Sequence, residues 1–144
     1  MKKYIGALFI IFIVTGLLFQ AGCKKSEEPI ANPLTGINWV LQTIQYSPQN
    51  VIAIEDPFSI LFKNDGTHEM VVDCNTCVGT YEISANAAII SITHSECTEA
   101  FCGQDSRDTE FHAALDTASR YEIDGGSLRI YFNNGASLLN FNAQ

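Results

Sequence analysis

Basic residues are scarce in this chain. Its 144 residues include 8 lysines and arginines against 16 aspartates and glutamates, which gives a formal net charge of −8. Binding to nucleic acid depends on clustered lysine and arginine side chains that meet the phosphates. The composition therefore excludes a nucleic-acid-binding role, and we expect no nucleic-acid partner.

Motifs of the common enzyme classes are also missing. The sequence contains no Gly-x-Ser-x-Gly elbow, no P-loop and no dinucleotide-binding fingerprint. Its three histidines, His68, His94 and His112, do not have the spacing of a zinc-binding His-Glu-x-x-His motif. We therefore expect no enzymatic activity, no catalytic residue, no metal ion and no cofactor.

Long apolar runs are absent except near the N-terminus, where residues 5–19 are almost wholly apolar and follow Lys2 and Lys3. This run is short for a membrane-spanning helix, and the small residues Ala21 and Gly22 then precede Cys23. The arrangement is typical of a bacterial signal peptide over residues 1–22. Its end resembles a lipobox, in which the cysteine is acylated, although Gln20 stands where leucine is usual.

Acylation of Cys23 would anchor the mature chain to a lipid bilayer without a spanning segment. We predict a lipid-anchored protein of the bacterial cell envelope, at the outer membrane, on either its periplasmic face or the cell surface. Lys24 favours the outer membrane because an aspartate after the lipidated cysteine would indicate inner-membrane retention. Loss of residues 1–22 removes two lysines and no acid, so the net charge becomes −10. The alternative is an ordinary secretory signal with an incidental cysteine.

Four further cysteines form two closely spaced pairs, Cys74-x2-Cys77 and Cys97-x4-Cys102. Disulfides persist in exported proteins, so we predict two of them, whereas the same spacing in the cytosol would indicate zinc. A redox-active Cys-x-x-Cys requires a helix N-terminus, but Cys77 leads into a predicted strand. Four cysteines allow three pairings, and their spacing does not choose among them.

The remainder of the chain divides into a tether and one domain. Residues 23–35 are charged, contain prolines and lack a pattern, which predicts a tether, and the domain is expected over residues 36–144. Apolar side chains alternate along several segments of this domain and predict strands with one buried face. The inward positions are predicted to be Trp39, Leu41, Ile44, Phe58, Ile60, Phe62, Leu128, Ile130 and Phe132.

Turn signals and one continuous apolar run complete the strand pattern. Asn64-Asp65-Gly66, Asp124-Gly125-Gly126 and Asn133-Asn134-Gly135 are typical of tight turns between antiparallel strands. The last two join three predicted C-terminal strands. The run AAIISIT is continuous enough to predict a strand that is covered on both faces.

One segment has the spacing of a helix. Its apolar residues recur at i, i+3, i+4 and i+7, as Phe111, Ala114, Leu115 and Ala118. We predict one main amphipathic helix near residues 107–119, capped by Asp105 or Ser106, with Arg120 at its C-terminal end. The fold class is therefore α+β, with a predominantly antiparallel, curved and barrel-like sheet.

Four short motifs resemble those of META/HslJ-type domains of lipoproteins. Cys74-Asn75-x3-Gly79-x-Tyr81 resembles their Cys-Asn-x3-Gly-x-Tyr signature, and Thr98-x3-Cys102 resembles the Thr-x3-Cys that follows it. Leu34-Thr35-Gly36-x2-Trp39 resembles their opening segment, and Phe111 to Leu115 lies where they carry a helix. Asp73 departs from the glycine that is common before the signature, and Cys77 and Cys97 form an additional pair.

The resemblance implies a small, mostly β domain of envelope lipoproteins with a loose link to heat or antibiotic stress. It also implies the pairing Cys74–Cys102, with Cys77–Cys97 nested inside. Asn75, Gly79 and Tyr81 are interpreted as turn residues, because asparagine and glycine tolerate the left-handed conformation. The acidic residues near the second cysteine pair are interpreted as a solvated face: Glu96, Glu99, Asp105, Asp108 and Glu110.

These observations predict a non-catalytic structural or binding module of the envelope, active in envelope or heat stress. Its partners would be the bilayer, through acylated Cys23, and an envelope protein or a small ligand. One alternative is a protease-inhibitor-like domain that presents a rigid loop. Another is a thiol- or metal-dependent factor that uses Cys74, Cys77, Cys97 and Cys102.

Overall fold

The computed structural model describes residues 32–84 and 88–144, without the side chains of residues 94 and 95. The predicted signal peptide (residues 1–22), the lipidation site Cys23 and the tether up to residue 31 lie outside the described residues. In order along the chain, the elements are β1 (Asn38–Ser47), β2 (Asn50–Ala53), β3 (Phe58–Phe62), β4 (Thr67–Val72), β5 (Asn75–Ser84), β6 (Ile89–Cys97), α1 (Asp108–Asp116), β7 (Arg120–Asp124), β8 (Ser127–Phe132) and β9 (Ser137–Ala143).

The strands form an antiparallel sheet that closes into an eight-stranded barrel. Neighbours follow the order β1, β3, β4, β5, β6, β7, β8 and β9, and β9 then pairs with β1. Strand β2 lies outside this ring, where it pairs with the second half of β1. The predicted α+β fold with a curved, barrel-like antiparallel sheet is confirmed.

Strand β1 shows why apolar residues two and then three positions apart can face the same core. Trp39, Leu41 and Ile44 are all buried, as predicted. The pairing of β1 with β9 shifts its register between Leu41 and Thr43. An extra residue in one strand of an antiparallel pair interrupts the two-residue alternation. Ile44 can therefore face inward where strict alternation would place Thr43.

Strand β6 corrects one prediction. Its run of isoleucines was expected to be covered on both faces, but only Ile90 and Ile92 are buried. Ile89 is 50% exposed, and Ser91 and Thr93 are also exposed. The strand therefore has one core-facing side, because the wall of this barrel has its other side toward solvent.

Helix α1 contributes to the barrel core through Phe111, Ala114 and Leu115. The Phe111 ring packs edge-on against Phe58 at 5.3 Å between centroids, and it lies 6.3 Å from the ring of Phe141. The predicted helix near residues 107–119 is present over Asp108–Asp116, a shorter span.

The ends of this helix differ from the prediction. Arg107 is the N-cap residue and makes no side-chain capping bond, whereas the Ser106 hydroxyl accepts a long hydrogen bond from the Asp108 amide at 3.4 Å. Arg120 does not lie at the helix C-terminus. It begins β7, where its guanidinium pairs with Glu122 and stacks on the ring of Tyr131.

The domain begins before Gly36. Leu34 is fully buried, and its carbonyl accepts a hydrogen bond from the Trp39 indole at 2.9 Å. Thr35 forms a bridge with Phe62, and the Asn32 amide donates to the Tyr81 hydroxyl. Residues 32–35, which the sequence assigns to the tether, are therefore part of the packed domain.

Residues Ala31–Gln144 form one compact unit, and its apolar core lies entirely within that unit. A segment with its own closed sheet and its own core is expected to fold independently. Across residues 32–84 and 88–144, no helix is both long enough and apolar enough to cross a membrane.

Candidate functional site

Two disulfides lie at one end of the barrel. Cys77 and Cys97 are directly opposite each other on β5 and β6, with their Cα atoms 4.1 Å apart. Cys74 and Cys102 join the turn before β5 to the loop after β6, with a Cα separation of 5.5 Å. This is the nested pairing that the family resemblance implies.

The turn before β5 has a different geometry from the one expected. Asp73 has a φ of 56° and is the residue in the left-handed region, a role that we had given to Asn75 and Gly79. Asn75 and Gly79 instead lie within β5. Aspartate tolerates the left-handed conformation better than most residues because its short side chain can bond locally.

The Asn75 side chain holds the loop over residues 98–102, which we call the disulfide loop. Its amide group donates to the Ala100 carbonyl at 2.9 Å and to the Cys102 sulfur at 3.2 Å. Its amide oxygen accepts from the Ala100 backbone N–H at 2.8 Å and from the Thr98 hydroxyl at 2.9 Å. Asn75 is buried, so both ends of its side chain are used to position the loop.

Strand-like bonds continue into the base of this loop. The Thr98 amide donates to the Thr76 carbonyl, and the Thr76 amide donates to the Thr98 hydroxyl, both at 3.0 Å. The Cys74 amide donates to the Cys102 sulfur at 3.3 Å. The disulfide loop is therefore fixed at its start by strand-like bonds, in its middle by Asn75 and at its end by a covalent bond.

Phe101 projects from the disulfide loop into solvent and is 85% exposed, far more than any other large apolar side chain in the described residues. An open cleft of about 380 Å³ lies beside it. The cleft is lined by the disulfide loop, by Asn75 and by Asp108 and His112 of α1. A larger groove of about 430 Å³ lies over β1 and β3, but no cysteine or histidine lines it.

The acidic residues near the loop remain in contact with solvent. Glu96, Glu99 and Asp105 are exposed, and Asp108 and Glu110 are half-buried. Arg107 pairs with Glu110 at 2.7 Å on the surface of the helix. Within residues 32–84 and 88–144, these carboxylates do not converge on a common point as metal ligands. Their arrangement agrees with a solvated acidic face.

Tyr81 lies within β5, where its ring packs against the core and its hydroxyl forms hydrogen bonds. The ring lies 4.8 Å from that of Phe62, and the hydroxyl donates to the Lys63 carbonyl at 2.7 Å. Burial, followed by the nearby charge of Asp65, raises the pKa of this phenol above its ordinary value. Tyr81 therefore holds the turn after β3 in place through its bond to the Lys63 carbonyl.

His112 was not singled out by the sequence, yet the fold brings it to the inner disulfide. Its Nε2 atom lies 3.9 Å from the sulfur of Cys77. His68 lies elsewhere in the barrel, where its Nε2 donates to the Thr93 carbonyl at 3.2 Å. The side chain of His94 lies outside the described residues. Proximity of His112 to Cys77 depends on how the helix packs, so no spacing rule in the sequence could reveal it.

The fold and this site define a class: a small, closed β-barrel domain that carries a loop held rigidly by disulfides and by a buried asparagine. Comparison with known sequences identifies the family within that class. The profile of the META domain matches residues 32–144, and the chain belongs to the META domain family. A search of curated proteins found no match.

Solved structures support the fold. A crystal structure of a DUF4847 family protein from Bacteroides vulgatus has a TM-score of 0.60 at 18% identity, over 76% of this chain and 92% of the other. An NMR structure of a protein from Burkholderia xenovorans has a TM-score of 0.64 at 17% identity, over 77% of this chain and 83% of the other. At these identities the likeness extends to the fold alone. Neither the META family nor the DUF4847 family is a known enzyme family.

Proposed function

We propose that this chain is a lipid-anchored envelope protein whose META domain is a non-catalytic binding module. The disulfide loop would engage a protein partner, with Phe101 as the central contact. The observation that carries this proposal is a large aromatic side chain, 85% exposed, on a loop fixed by a disulfide and by the four bonds of Asn75.

A rigid loop favours binding because its ordering has already been completed during folding. Association is opposed by the loss of side-chain and loop freedom at the interface. The bonds to Ala100 and Cys102 fix the backbone on both sides of Phe101. Aromatic side chains that fill a pocket on the partner dominate the energetics of many interfaces. Phe101 is a large aromatic side chain, and its loop is already ordered before binding. An aromatic residue on a flexible loop would lose conformational freedom on association.

Charge around the loop specifies the chemistry of the partner. Glu99 lies two residues before Phe101 and is exposed, and Glu96 and Asp105 flank the loop. Oppositely charged surfaces accelerate association and reject incorrect partners. We propose a protein with an apolar pocket that is bordered by lysine or arginine side chains.

The anchor belongs to the same proposal. Support comes from the apolar run before Cys23 and from the two disulfides, which suit a compartment outside the cytosol. We propose attachment through acylated Cys23 to the outer membrane and, following the family resemblance, use during envelope or heat stress. The protein from cells given a radiolabelled fatty acid should carry the label, and Cys23→Ala in the full chain should remove it, whereas a labelled Cys23→Ala variant would contradict the anchor.

Crosslinking in living cells tests the loop. A photoreactive residue in place of Glu99 in the full chain should capture a specific partner, and Phe101→Ala in the same chain should abolish that capture. Ile89→Ala is the matched control, because Ile89 is an exposed large apolar residue elsewhere on the barrel.

The Kd for the purified partner then measures how much Phe101 contributes to the binding free energy. Loss of a central aromatic contact costs about 2 kcal/mol, or a Kd about 30-fold weaker. Ile89→Ala should leave the Kd within about twofold. If the two variants bind equally well, Phe101 is not the contact. If no partner is captured at the loop, the binding role is wrong.

A protease-inhibitor-like role would use the same loop, because a fixed loop with a protruding aromatic residue suits the specificity pocket of a chymotrypsin-like protease. The purified segment Ala31–Gln144 should then inhibit one protease of a secreted panel, and Phe101→Ala should remove the inhibition. Absence of inhibition across the panel would reject this second candidate and leave the binding module unaffected.

A further inference from the structure

The inner disulfide and His112 form a compact group of three metal-ligating side chains. The sulfurs of Cys77 and Cys97 and one ring nitrogen of His112 all lie within 4.8 Å of one another. The group is the only one of its kind in the described residues. We propose that reduction of the Cys77–Cys97 disulfide converts this group into a binding site for Zn²⁺.

The ligand types and their separations fit zinc. Tetrahedral zinc takes thiolate at about 2.3 Å and imidazole at about 2.0–2.1 Å, which places two sulfurs about 3.8 Å apart and a sulfur about 3.6 Å from a nitrogen. Cys77 already lies 3.9 Å from His112. After reduction the two sulfurs are no longer bonded and must move apart, and both remain within 4.8 Å of the His112 nitrogen in the present arrangement.

The surrounding structure would keep the three ligands in place after reduction. Cys77 and Cys97 are opposed by the pairing of β5 with β6, which continues from this pair to Ser84 and Ile89. The outer disulfide, Cys74–Cys102, fastens the same corner of the barrel. His112 is held by a helix whose neighbouring residue, Phe111, is fully buried. The site is therefore preorganised, and the cleft beside it leaves a fourth position for water or another ligand.

Reduction requires a dithiol reductant. The solvent exposure of each cysteine determines which sulfur of the inner disulfide the reductant attacks. Cys97 is exposed, whereas Cys77 is only 1% exposed. A reductant thiolate would attack the Cys97 sulfur, form a mixed disulfide and release Cys77 as a thiolate beside His112. The second thiol of the reductant would then attack the reductant sulfur of the mixed disulfide. This step forms the disulfide of the reductant and releases the Cys97 thiolate. Two electrons pass to the protein, the reductant leaves as a disulfide, and Zn²⁺ displaces the two thiol protons.

A cobalt and zinc titration tests the site in the segment Ala31–Gln144. The variant Cys74→Ser/Cys102→Ser leaves the inner pair as its only cysteines, and it is compared oxidised and after dithiothreitol treatment with removal of the reductant under anaerobic conditions. The reduced protein should bind one Co²⁺ with thiolate-to-metal charge-transfer absorption, and Zn²⁺ should displace it. The oxidised protein should bind neither metal at this site.

His112→Ala in the same background should weaken Zn²⁺ binding at least about tenfold. Thr109→Ala, at an exposed position of the same helix, should leave the affinity unchanged. Near-ultraviolet circular dichroism of buried Trp39 establishes that each sample is folded. Equal affinity of the His112→Ala variant, binding to the oxidised protein, or no binding to folded reduced protein would each overturn the proposal.

The double serine variant has neither bridge once it is reduced and is then expected to be only marginally stable, so wild-type protein provides a second route that keeps the outer bridge. Limited reduction is followed by alkylation and peptide mass spectrometry, which identifies conditions where Cys74–Cys102 remains intact and the inner pair is open. Native mass spectrometry of that species should then show one bound Zn²⁺. A folded species with the inner pair open and no bound zinc would refute the site.

Discussion

The two nested disulfides permit a quantitative prediction about stability. The inner bridge spans 20 residues and the outer bridge spans 28. Loop-closure entropy assigns about 3.3 and about 3.6 kcal/mol, respectively, to each bridge if it is formed alone. When one bridge is present, however, the other closes a ring of only about ten residues and contributes about 2.7 kcal/mol.

Two variants isolate these contributions. Cys74→Ser/Cys102→Ser removes the outer bridge, and serine at position 102 preserves an acceptor for the amides of Cys74 and Asn75. Cys77→Ala/Cys97→Ser removes the inner bridge without placing a hydroxyl at the buried position 77. Each is expected to lower the free energy of unfolding by about 2.7 kcal/mol and the Tm by about 10 °C.

The combination of all four substitutions is expected to cost about 6 kcal/mol, more than the two separate losses together. This loss is comparable with the whole stability of many domains, so the combined variant should be partly unfolded without denaturant. Urea unfolding curves measured by circular dichroism give the three values. A loss below about 1 kcal/mol for either single removal, or a combined loss smaller than the two together, would refute the chain-entropy argument.

Three further predictions concern the core, the loop and one turn. Phe111→Ala should lower the free energy of unfolding by about 3–5 kcal/mol, measured in urea, because it opens a cavity in the core; a loss below about 1 kcal/mol would contradict its role. Asn75→Ala should speed amide hydrogen exchange at Ala100 while leaving exchange in β8 unchanged, since it removes the bonds that fix the disulfide loop. The hydrogen bond from the Thr67 hydroxyl is the largest cause of the lowered pKa of Asp65, so Thr67→Val should raise that pKa toward 3.8 in an NMR titration. The stabilisation from Asp65 is present above pH of about 3.8 and is lost as the pH falls through its lowered pKa, and this acid-side loss should shrink in the Thr67→Val variant.

Local pattern and turn chemistry made most of the barrel predictable. The Asn-Asp-Gly, Asp-Gly-Gly and Asn-Asn-Gly segments lie at turns between antiparallel strands, and the alternating residues beside them face the core. Strand β2 escaped prediction because Asn50–Ala53 is short, mostly exposed and without alternation. The tether was predicted to reach residue 35 because residues 23–35 are charged, contain prolines and lack a pattern, although Leu34 begins one of the family motifs and its carbonyl accepts a bond from Trp39.

Only those residues of the candidate site that belong to a local motif could be predicted from the sequence. Asn75, Thr98 and Cys102 belong to motifs that the family resemblance supplied, and the structure brings them together. Phe101 had a weak signal, as an aromatic residue within a polar stretch. His112 had none, because it reaches Cys77 through the docking of a helix onto a distant strand pair.

The seam between β1 and β9 would affect the timing of folding under the export that we propose. Trp39 pairs with Ala143, so β1 can pair with β3 early but cannot acquire its second barrel neighbour until β9 has emerged. A chain that crosses a membrane from its N-terminus would expose β1 and β3 while β9 is still on the other side. Contacts this distant along the sequence slow folding and leave strand edges open to incorrect pairing. Under the proposed export, the chain would therefore be a client for a periplasmic chaperone until the seam closes.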